Sequence, residues 1–595
     1  MSSLAGIVFA LRHLADFAIF AFAAYLWGRL AGRALPYRDG FEQAVVSSAL
    51  GLGVLASLLN LLAIARVLTP PAVAAVIAVP YLSRIVVPTA FKRLPLSLDR
   101  VSGIGVIALL PAVLLSLAFA LYPPTAFDAT LYHLPIAKAF ARNHGIVFLP
   151  DLRFPVSPQL FETVFAGALS VADDVTAQLT QVFCLALVSA GLIAWGRRFA
   201  SERAGIWAAA IWLGSPLVVF LGGTALVDVG LAVFCTFALY AWEAARESGD
   251  SRWLTASAVF AGLAASTKYL GLFFVVALAG ATLFANLPGG RFRRTVHFST
   301  VAALALAPFY WRIVGWTGSP VFPYLTRLFG DNAWHEWLDP LPANASRSGL
   351  RGEIVPGAGL FEGTILSPLL LLLFPIIVWR AVRDRRARLL LAVSLGYVVF
   401  WYLASPDKRY LLAILPAYGA GATAGLDAFL RRWNAADTRP ARAGLAVCLA
   451  LFLSAPGVAW NAVLLRRRGP LPVTMPERDA YLTRALPVYP ALQSLNRRFG
   501  SRYVVYVLFR EHAAYFADGR FLGEHFGPYR YARVTDALNQ PRRLLGVLQE
   551  MRVTHLLVDR TSPLGSRIRL QSLATTLKRI PSPPYTALFE VPDAN

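Results

Sequence analysis

Apolar runs close to twenty residues long recur along most of this chain, separated by short charged segments, and they stop near residue 465. A helical run must be about that long to cross a hydrocarbon core of roughly 30 Å, so the pattern predicts about fourteen membrane helices. The first three fall near 5–28, 41–65 and 69–90, the fourth near 101–122, and the next three near 174–195, 203–221 and 226–245. Two short ones lie near 254–267 and 269–286, a tenth near 296–316, and four more near 363–380, 388–404, 409–430 and 443–465. The first run carries Arg12, His13 and Asp16 and lacks a small-residue cleavage site, which predicts a retained helix and not a signal peptide.

Beyond 465 the period changes. Tyr503–Phe509 (YVVYVLF), His555–Asp559 (HLLVD) and Thr586–Val591 (TALFEV) read as strands, and Thr535–Met551 reads as a helix. Pro581, Pro583 and Pro584 break the chain before the last strand. The expected architecture is an all-α polytopic membrane bundle with a small C-terminal α/β soluble domain. Its parts are additional N-terminal membrane helices at 1–100, a membrane module at 101–465 with outer loops 123–173 and 317–362, and the α/β region at 466–595.

Composition agrees with the pattern. Only 15% of the 595 residues are charged, against roughly 25% in ordinary soluble domains, and the mean hydropathy is +0.56. The net charge of +23 would suggest nucleic acid in a soluble protein. Here many arginines occupy short loops beside apolar runs, where the positive-inside rule places them. Arg29, Arg33 and Arg38, Lys92, Arg93 and Arg100, Arg197, Arg198 and Arg203, Arg291, Arg293 and Arg294, Arg380, Arg383, Arg385, Arg386 and Arg388, and Arg431, Arg432, Arg439 and Arg442 all fall on one side, which is then cytoplasmic. Arg466, Arg467 and Arg468 break this rule. Cys184, Cys235 and Cys448 lie inside apolar runs, without metal or disulfide spacing, and read as small core residues.

The stretch Tyr122–Phe165 interrupts the apolar chain with Asp128, Tyr132, His133, Lys138, Arg142, Asp151, Arg153 and Glu162. Pro123 and Pro124 end the preceding helix. LYHLPIAKAFARNHG then has the apolar spacing of an amphipathic helix suited to the interface, with Gly145 as its stop. A second amphipathic piece follows Pro155 and Pro158 and carries Gln159 and Glu162. Asp128 can serve as a general base on a hydroxyl or simply cap the helix that follows it. His133 can be a hydrogen-bonded partner within the loop fold.

Further charges fall on the same expected face: Asp228 after GGTAL, Lys268 in STKYLG, Arg312 in APFYWRIVGW, and Lys408, Arg409 and Tyr410 in SPDKRYLLAILP. Such groups are costly near a membrane unless they pair or serve a site, although snorkelling and helix-end salt bridges also account for them singly. Arginine and lysine supply the donors that hold a phosphate. In the C-terminal region His512, Asp518, His525 and Tyr529 are candidates for an acceptor groove, with ordinary packing as the alternative.

Five pieces in order resemble the GT-C superfamily of membrane glycosyltransferases. They are FDATLYHLP with FPVSPQLFE, ALVDVGLAVF, ASTKYLG, APFYWRIVGWTGSPVFP and SPDKRYLLAILPA, and they span about residues 120 to 420. The similarity is to the branch using polyprenyl-phosphate sugars, which includes protein O-mannosyltransferases and the lipid A aminoarabinose transferase.

The resemblance implies a GT-C-like bundle and places the catalytic aspartate on Asp128. Family members often carry an acidic pair there, but Ala129 follows Asp128, so a second acid must come from Asp228 or Glu162 or be absent. The implied reaction is an inverting transfer from a polyprenyl-phosphate-linked sugar to a hydroxyl of an unknown glycan, lipid or protein acceptor. The implied place is the periplasmic face of a bacterial inner membrane, among membrane lipids and without nucleic acid. His133, Tyr132, Glu162, Asp228, Lys268, Arg312, Lys408, Arg409 and Tyr410 are then donor- or acceptor-binding candidates. A divalent cation on Asp228 or His133 could share the stabilisation of the leaving phosphate. The first three helices have no counterpart around the family's catalytic loop. A transporter or lipid flippase, or a membrane subunit that only binds polyprenyl lipid, is the alternative reading.

Overall fold

The computed structural model describes residues 2–86, 105–152, 156–285, 288–329, 369–404, 407–433, 439–523 and 530–593. Lys92, Arg93, Arg100, Arg153, His525, Tyr529 and most of the 317–362 loop lie outside these.

Most of the chain is helical. The N-terminal helices are α1 (Ser2–Ala31), α2 (Gly40–Ile64) and α3 (Pro70–Val86), followed by a short α4 (Leu110–Ala120). The polar stretch holds α5 (Leu134–Arg142) and α6 (Leu160–Val171). Then come α7 (Asp174–Phe199), α8 (Glu202–Gly214), α9 (Pro216–Gly222), α10 (Asp228–Ser248), α11 (Ser251–Thr267), α12 (Leu272–Phe284) and α13 (Arg291–Thr317). Helices α14 (Leu369–Arg383), α15 (Arg385–Ala404), α16 (Leu415–Trp433) and α17 (Arg439–Arg468) complete the bundle.

Among the described residues seven helices are long and apolar enough to cross a membrane, or eight if α8 and α9 form one span bent by 80°. The protein is therefore a multi-pass membrane protein, and the fourteen spans expected from hydropathy are not matched one for one. Pro216 lacks the N–H that would continue α8, so the sixth expected span breaks there. The short apolar pieces at 105–120, 160–171 and 269–284 stay below spanning length.

The centre of the bundle is α10, whose spanning stretch is wholly buried. Its ends differ in charge. Asp228 opens it, and Glu243 and Glu247 sit in its last turns. Around those last turns gathers a network of ion pairs: Arg198 with Glu42 and Glu247, Arg38 with Glu247, Arg386 with Glu243 and Glu247, and Arg246 with Glu243. Arg197 pairs with Asp39, and Arg203 with Asp427, on neighbouring helices. Tyr240 donates to Glu42 at 2.5 Å. Arginines from several of the loops expected on one side thus converge at one end of the bundle and pair there with acids.

Arg468, which broke the rule, lies at the other end, where its guanidinium carbon stands 4.8 Å from the Phe119 ring centroid and 5.7 Å from that of Tyr122. Cys184 and Cys235 are buried, but Cys448 is exposed on α17, so the core reading fails for it: that helix turns much of its surface outward.

The C-terminal region has two helices, α18 (Met475–Ala485) and α19 (Tyr489–Phe499), before its first strand. A five-stranded sheet then takes the order β2-β1-β3-β5-β4. Strand β1 (Val504–Leu508) pairs in parallel with β2 (Arg520–Leu522) and β3 (His555–Asp559). Strand β5 (Thr586–Glu590) lies antiparallel to β3 and to β4 (Lys578–Ile580). The stretch expected as one helix over 535–551 is two, Arg530–Ala537 and Pro541–Glu550, because Pro541 starts a new helix.

Helices α1 and α2 cross at glycine. A Cβ on Gly28 would sit 1.6 Å from the Ser47 carbonyl oxygen, and one on Gly51 would sit 1.6 Å from that of Ala24. Such contact needs residues without side chains. Gly280, in contrast, meets nothing within 4 Å. Gly51→Val is expected to lower the unfolding temperature of the detergent-solubilised protein by several degrees, and Gly280→Val to leave it near that of the wild type, in a thermal unfolding assay.

Candidate active site

The polar stretch is anchored where it leaves α4. Gln178 on α7 donates to the carbonyls of Ala120 (3.0 Å) and Tyr122 (2.8 Å), and the Tyr122 hydroxyl donates to Gly469 O at 2.5 Å. Residues Ala129–His133 then form a single π-helical turn in which the N–H of Leu134 reaches the Ala129 carbonyl. Pro135 has no N–H to give to the preceding turn, which accounts for the widened geometry. Helix α5 continues directly, and with α6 it is buried against the bundle. In α5 the buried face is Leu134, Ile136, Ala137 and Phe140, while Lys138 and Arg142 stay on the outer face, as its amphipathic spacing implied.

Asp128 stands at the start of this turn but makes no capping hydrogen bond. The capping alternative is thereby removed. Its carboxylate instead accepts from Tyr132 Oη at 3.1 Å and forms an ion pair with Arg409 Nη1. The widened turn sets Tyr132 four residues on, directly over the acid. Burial, and then the charge of Asp128, push the Tyr132 phenol well above its ordinary range, so it stays a donor at neutral pH.

Arg409 comes from a 3₁₀ turn, Lys408–Ala413, whose first N–H groups are capped by Asp407 (Arg409 N to Asp407 Oδ1, 3.1 Å). Lys408 is half-buried in the same turn. The ring of Tyr410 lies between two cations: Lys268 Nζ is 3.7 Å from its centroid, and the Arg409 guanidinium carbon is 5.1 Å away. Lys268 occupies the extended residue that ends α11 and donates to Asp228 Oδ1 at 3.0 Å. Asp228 is 2% exposed, and its second oxygen has no hydrogen-bond partner among the described residues. The result is two ion pairs, Asp128 with Arg409 and Asp228 with Lys268, joined where both cations meet one tyrosine ring.

A second cluster adjoins it through Tyr132, whose ring is 4.1 Å from that of His133. His133 Nδ1 and Glu162 share a buried hydrogen bond of 2.7 Å. Arg312, 1% exposed on α13, donates to Asn60 Oδ1 and to the Ser157 carbonyl, both at 3.3 Å, and lies within electrostatic reach of Glu162. Glu162 Oε2, Gln159 Oε1 and Arg312 Nε are buried without partners among the described residues. Buried polar atoms left in that state are costly, so a ligand or water that pairs with them gains binding energy.

All ten residues expected at a site thus gather at one end of the bundle, in two adjoining clusters. Of the two residues expected as metal ligands, His133 pairs with Glu162 and Asp228 with Lys268. Among the described residues no group of three His, Cys, Asp or Glu side chains is arranged to hold a metal ion. Asn60, which holds Arg312, and Gln178, which anchors the polar stretch, are not among the residues expected from the sequence, although an amide within an apolar run is itself a signal of an internal partner.

The C-terminal region closes over this end. Lys138 Nζ donates to the carbonyls of Tyr515 and Ala517 (2.9 Å each) and to Asp518 Oδ1 (3.0 Å), and Arg142 donates to the same oxygen at 2.6 Å. Arg520 grips Asp151 with two bonds of 2.7 Å, and Asp174 takes Arg478 and the Tyr515 hydroxyl. His512, driven down to about 4 by burial and by Arg510, is neutral and rests its ring 5.1 Å from that of Phe127, the neighbour of Asp128. Asp518, expected at an acceptor groove, is instead the docking anchor.

A family model described as dolichyl-phosphate-mannose-protein mannosyltransferase matches residues 158–313, and one described as SF2091/S2213 matches 477–569. An uncharacterized protein of Shigella flexneri is 31% identical over 122 residues, 20% of this chain and 61% of that protein, so the match spans about three fifths of the relative. Among solved structures, ArnT from Cupriavidus metallidurans in the apo state superposes with a TM-score of 0.53 at 16% identity, over 82% of this chain and 97% of that one. The mycobacterial arabinofuranosyltransferase AftD superposes with a TM-score of 0.50 at 15% identity, over 84% of this chain and 42% of that one. The bundle has the GT-C fold, as the resemblance of its motifs implied.

Burial opposes ionisation of Asp518, but hydrogen bonding from Arg142 and the charge of Lys138 outweigh it and hold its carboxyl below the usual range. A depressed carboxyl stabilises the docked state above its ordinary value, and that contribution is lost as pH falls through the folded value. Limited proteolysis of the C-terminal region is therefore expected to accelerate in acid for the wild type. In Asp518→Asn it should be faster already at neutral pH and vary less with pH.

Proposed function

We propose that this protein is an inverting glycosyltransferase. It moves a sugar from a polyprenyl-phosphate carrier to an acceptor hydroxyl at the periplasmic face of a bacterial inner membrane. The observation that carries the proposal is Asp128: a carboxylate released from capping, set by a π turn and one tyrosine, and facing cations at one end of the bundle. The mannosyltransferase model over 158–313 and the GT-C fold support the same class of reaction. The gathering of paired loop arginines at the opposite end supports the orientation, since that end is then cytoplasmic.

In this reaction the acceptor oxygen forms a bond to the anomeric carbon as the bond from that carbon to the phosphate oxygen breaks. Asp128 takes the acceptor proton, and the polyprenyl phosphate leaves with the bonding electrons. Positive charge builds on the sugar ring in the transition state. The leaving group is already an anion and needs no protonating acid, so the absence of an acidic partner next to Asp128 is tolerated. Arg409 and Lys268 hold the phosphate oxygens electrostatically, and Arg312 lies in the adjoining cluster with spare donor capacity. Asp228 keeps Lys268 extended toward the site, and Glu162 orients His133. Arg409 and Lys268 supply this stabilisation in the proposed step, so added divalent cation is expected to leave the rate unchanged, and a rate that depends on the cation would instead bring Asp228 or His133 in as its ligand.

The test is transfer from a panel of radiolabelled polyprenyl-phosphate sugars in nanodiscs. Wild-type protein should move label to a polar acceptor, and Asp128→Asn should lose about 10²- to 10⁴-fold, the usual contribution of a general base. The variant should still fold, since Asp128 caps nothing. Full transfer by Asp128→Asn would remove the assignment, and movement of labelled lipid between leaflets without transfer would favour a flippase.

A further inference from the structure

Between the N-terminal helices and the body of the bundle lies a groove of about 640 Å³ that the proposed reaction does not use. Helices α1 and α2 form one wall, and α11 and α13 form the other. Leu50, Val54, Val259, Leu263 and Leu304 line it, and Leu304, 68% exposed, marks its open side. Arg252 and Leu263 lie about 16 Å apart along α11 at 1.5 Å per residue, so the groove runs along the bundle axis. An apolar groove of this kind is a poor site for water.

At the end far from Asp128 the groove meets a polar recess of about 410 Å³, with Arg252 and Thr255 shared between the two. The recess carries Arg252, Arg293, Arg294 and His297 against one acid, Asp250. Arg252 is satisfied by Asp250 and by the Ala34 carbonyl (2.5 Å), and His297 shares a hydrogen bond with Thr255 at 2.9 Å. Arg294 gives one N–H to Ala285 O at 3.3 Å, but its Nε and Nη1 are shielded from solvent without a partner among the described residues.

A snorkelling arginine extends its head into water, and this one does not. Arg294 and Arg312 lie roughly 27 Å apart along α13, close to the thickness of a hydrocarbon core. The recess therefore belongs to the headgroup layer opposite the candidate active site.

We infer that groove and recess together bind one anionic glycerophospholipid of that leaflet. Its phosphate meets Arg293, Arg294 and the N-terminus of α13, and an acyl chain fills the groove. The excess positive charge of the recess selects against a zwitterionic headgroup, which brings its own cation. Bound there, the lipid joins α1 and α2 to α11 and α13, which gives the N-terminal helices a part that the resemblance did not assign.

The test is native mass spectrometry of the delipidated full-length protein titrated with phosphatidylglycerol or phosphatidylcholine. The wild type is expected to retain one phosphatidylglycerol with at least about tenfold preference over phosphatidylcholine. The double variant Arg293→Gln/Arg294→Gln, whose melting temperature should match the wild type, is expected to lose that preference. Val259→Trp, which fills the groove, should lower uptake of phosphatidylglycerol. Equal uptake of both lipids by the wild type, or an unchanged preference in the double variant, would overturn the site. Displacement of phosphatidylglycerol by equimolar undecaprenyl phosphate would overturn the assigned occupant.

Discussion

An ionised side chain is costly to hold in an apolar bundle without a partner of opposite sign, and the pairing of Asp128 with Arg409 meets this constraint at the centre of the site. One partner begins the first polar stretch, and the other begins a 3₁₀ turn far along the chain. Bringing them together fixes how the two halves of the bundle meet. Tyr410 extends the pairing to Lys268 and Asp228 by placing one aromatic face between two cations. Removing any member would leave a neighbouring charge uncompensated, so these residues act as a unit.

The same constraint organises the opposite end by different means. There the acids Glu42, Glu243 and Glu247 are surrounded by arginines from several loops, and every one of the three is engaged. Helix α10 joins the two ends, with Asp228 at its start and Glu243 in its last turns. At roughly 1.5 Å per residue its 21 residues cover about the hydrocarbon thickness. One end is closed mainly by ion pairs. The other keeps partnerless donors and acceptors on Arg312, Glu162, Gln159 and Asp228, which suits it to a ligand.

The C-terminal sheet is tied to the reactive stretch and not merely appended to the bundle. Lys138, Arg142 and Asp151 were legible as charges of that stretch, and they are spent on Asp518, Arg520 and backbone carbonyls of the C-terminal region. With His512 against Phe127, the region forms the roof beside Asp128.

The sequence by itself determined a membrane bundle, because long apolar runs have few other stable environments. It also marked the chemical residues, because a charge or amide beside such runs requires a reason. Asp128, Asp228, Lys268, Arg312 and Arg409 could be picked out on that ground alone. Hydropathy could not count the spans, since it registers apolar length and is blind to the 80° break at Pro216 or to short helices buried inside the protein. Only the tertiary structure decided the partners: Asp128 with Arg409, Asp228 with Lys268, His133 with Glu162, and Asp518 as a docking anchor. Pairing depends on distances between segments remote in the chain, and local spacing carries no record of those distances.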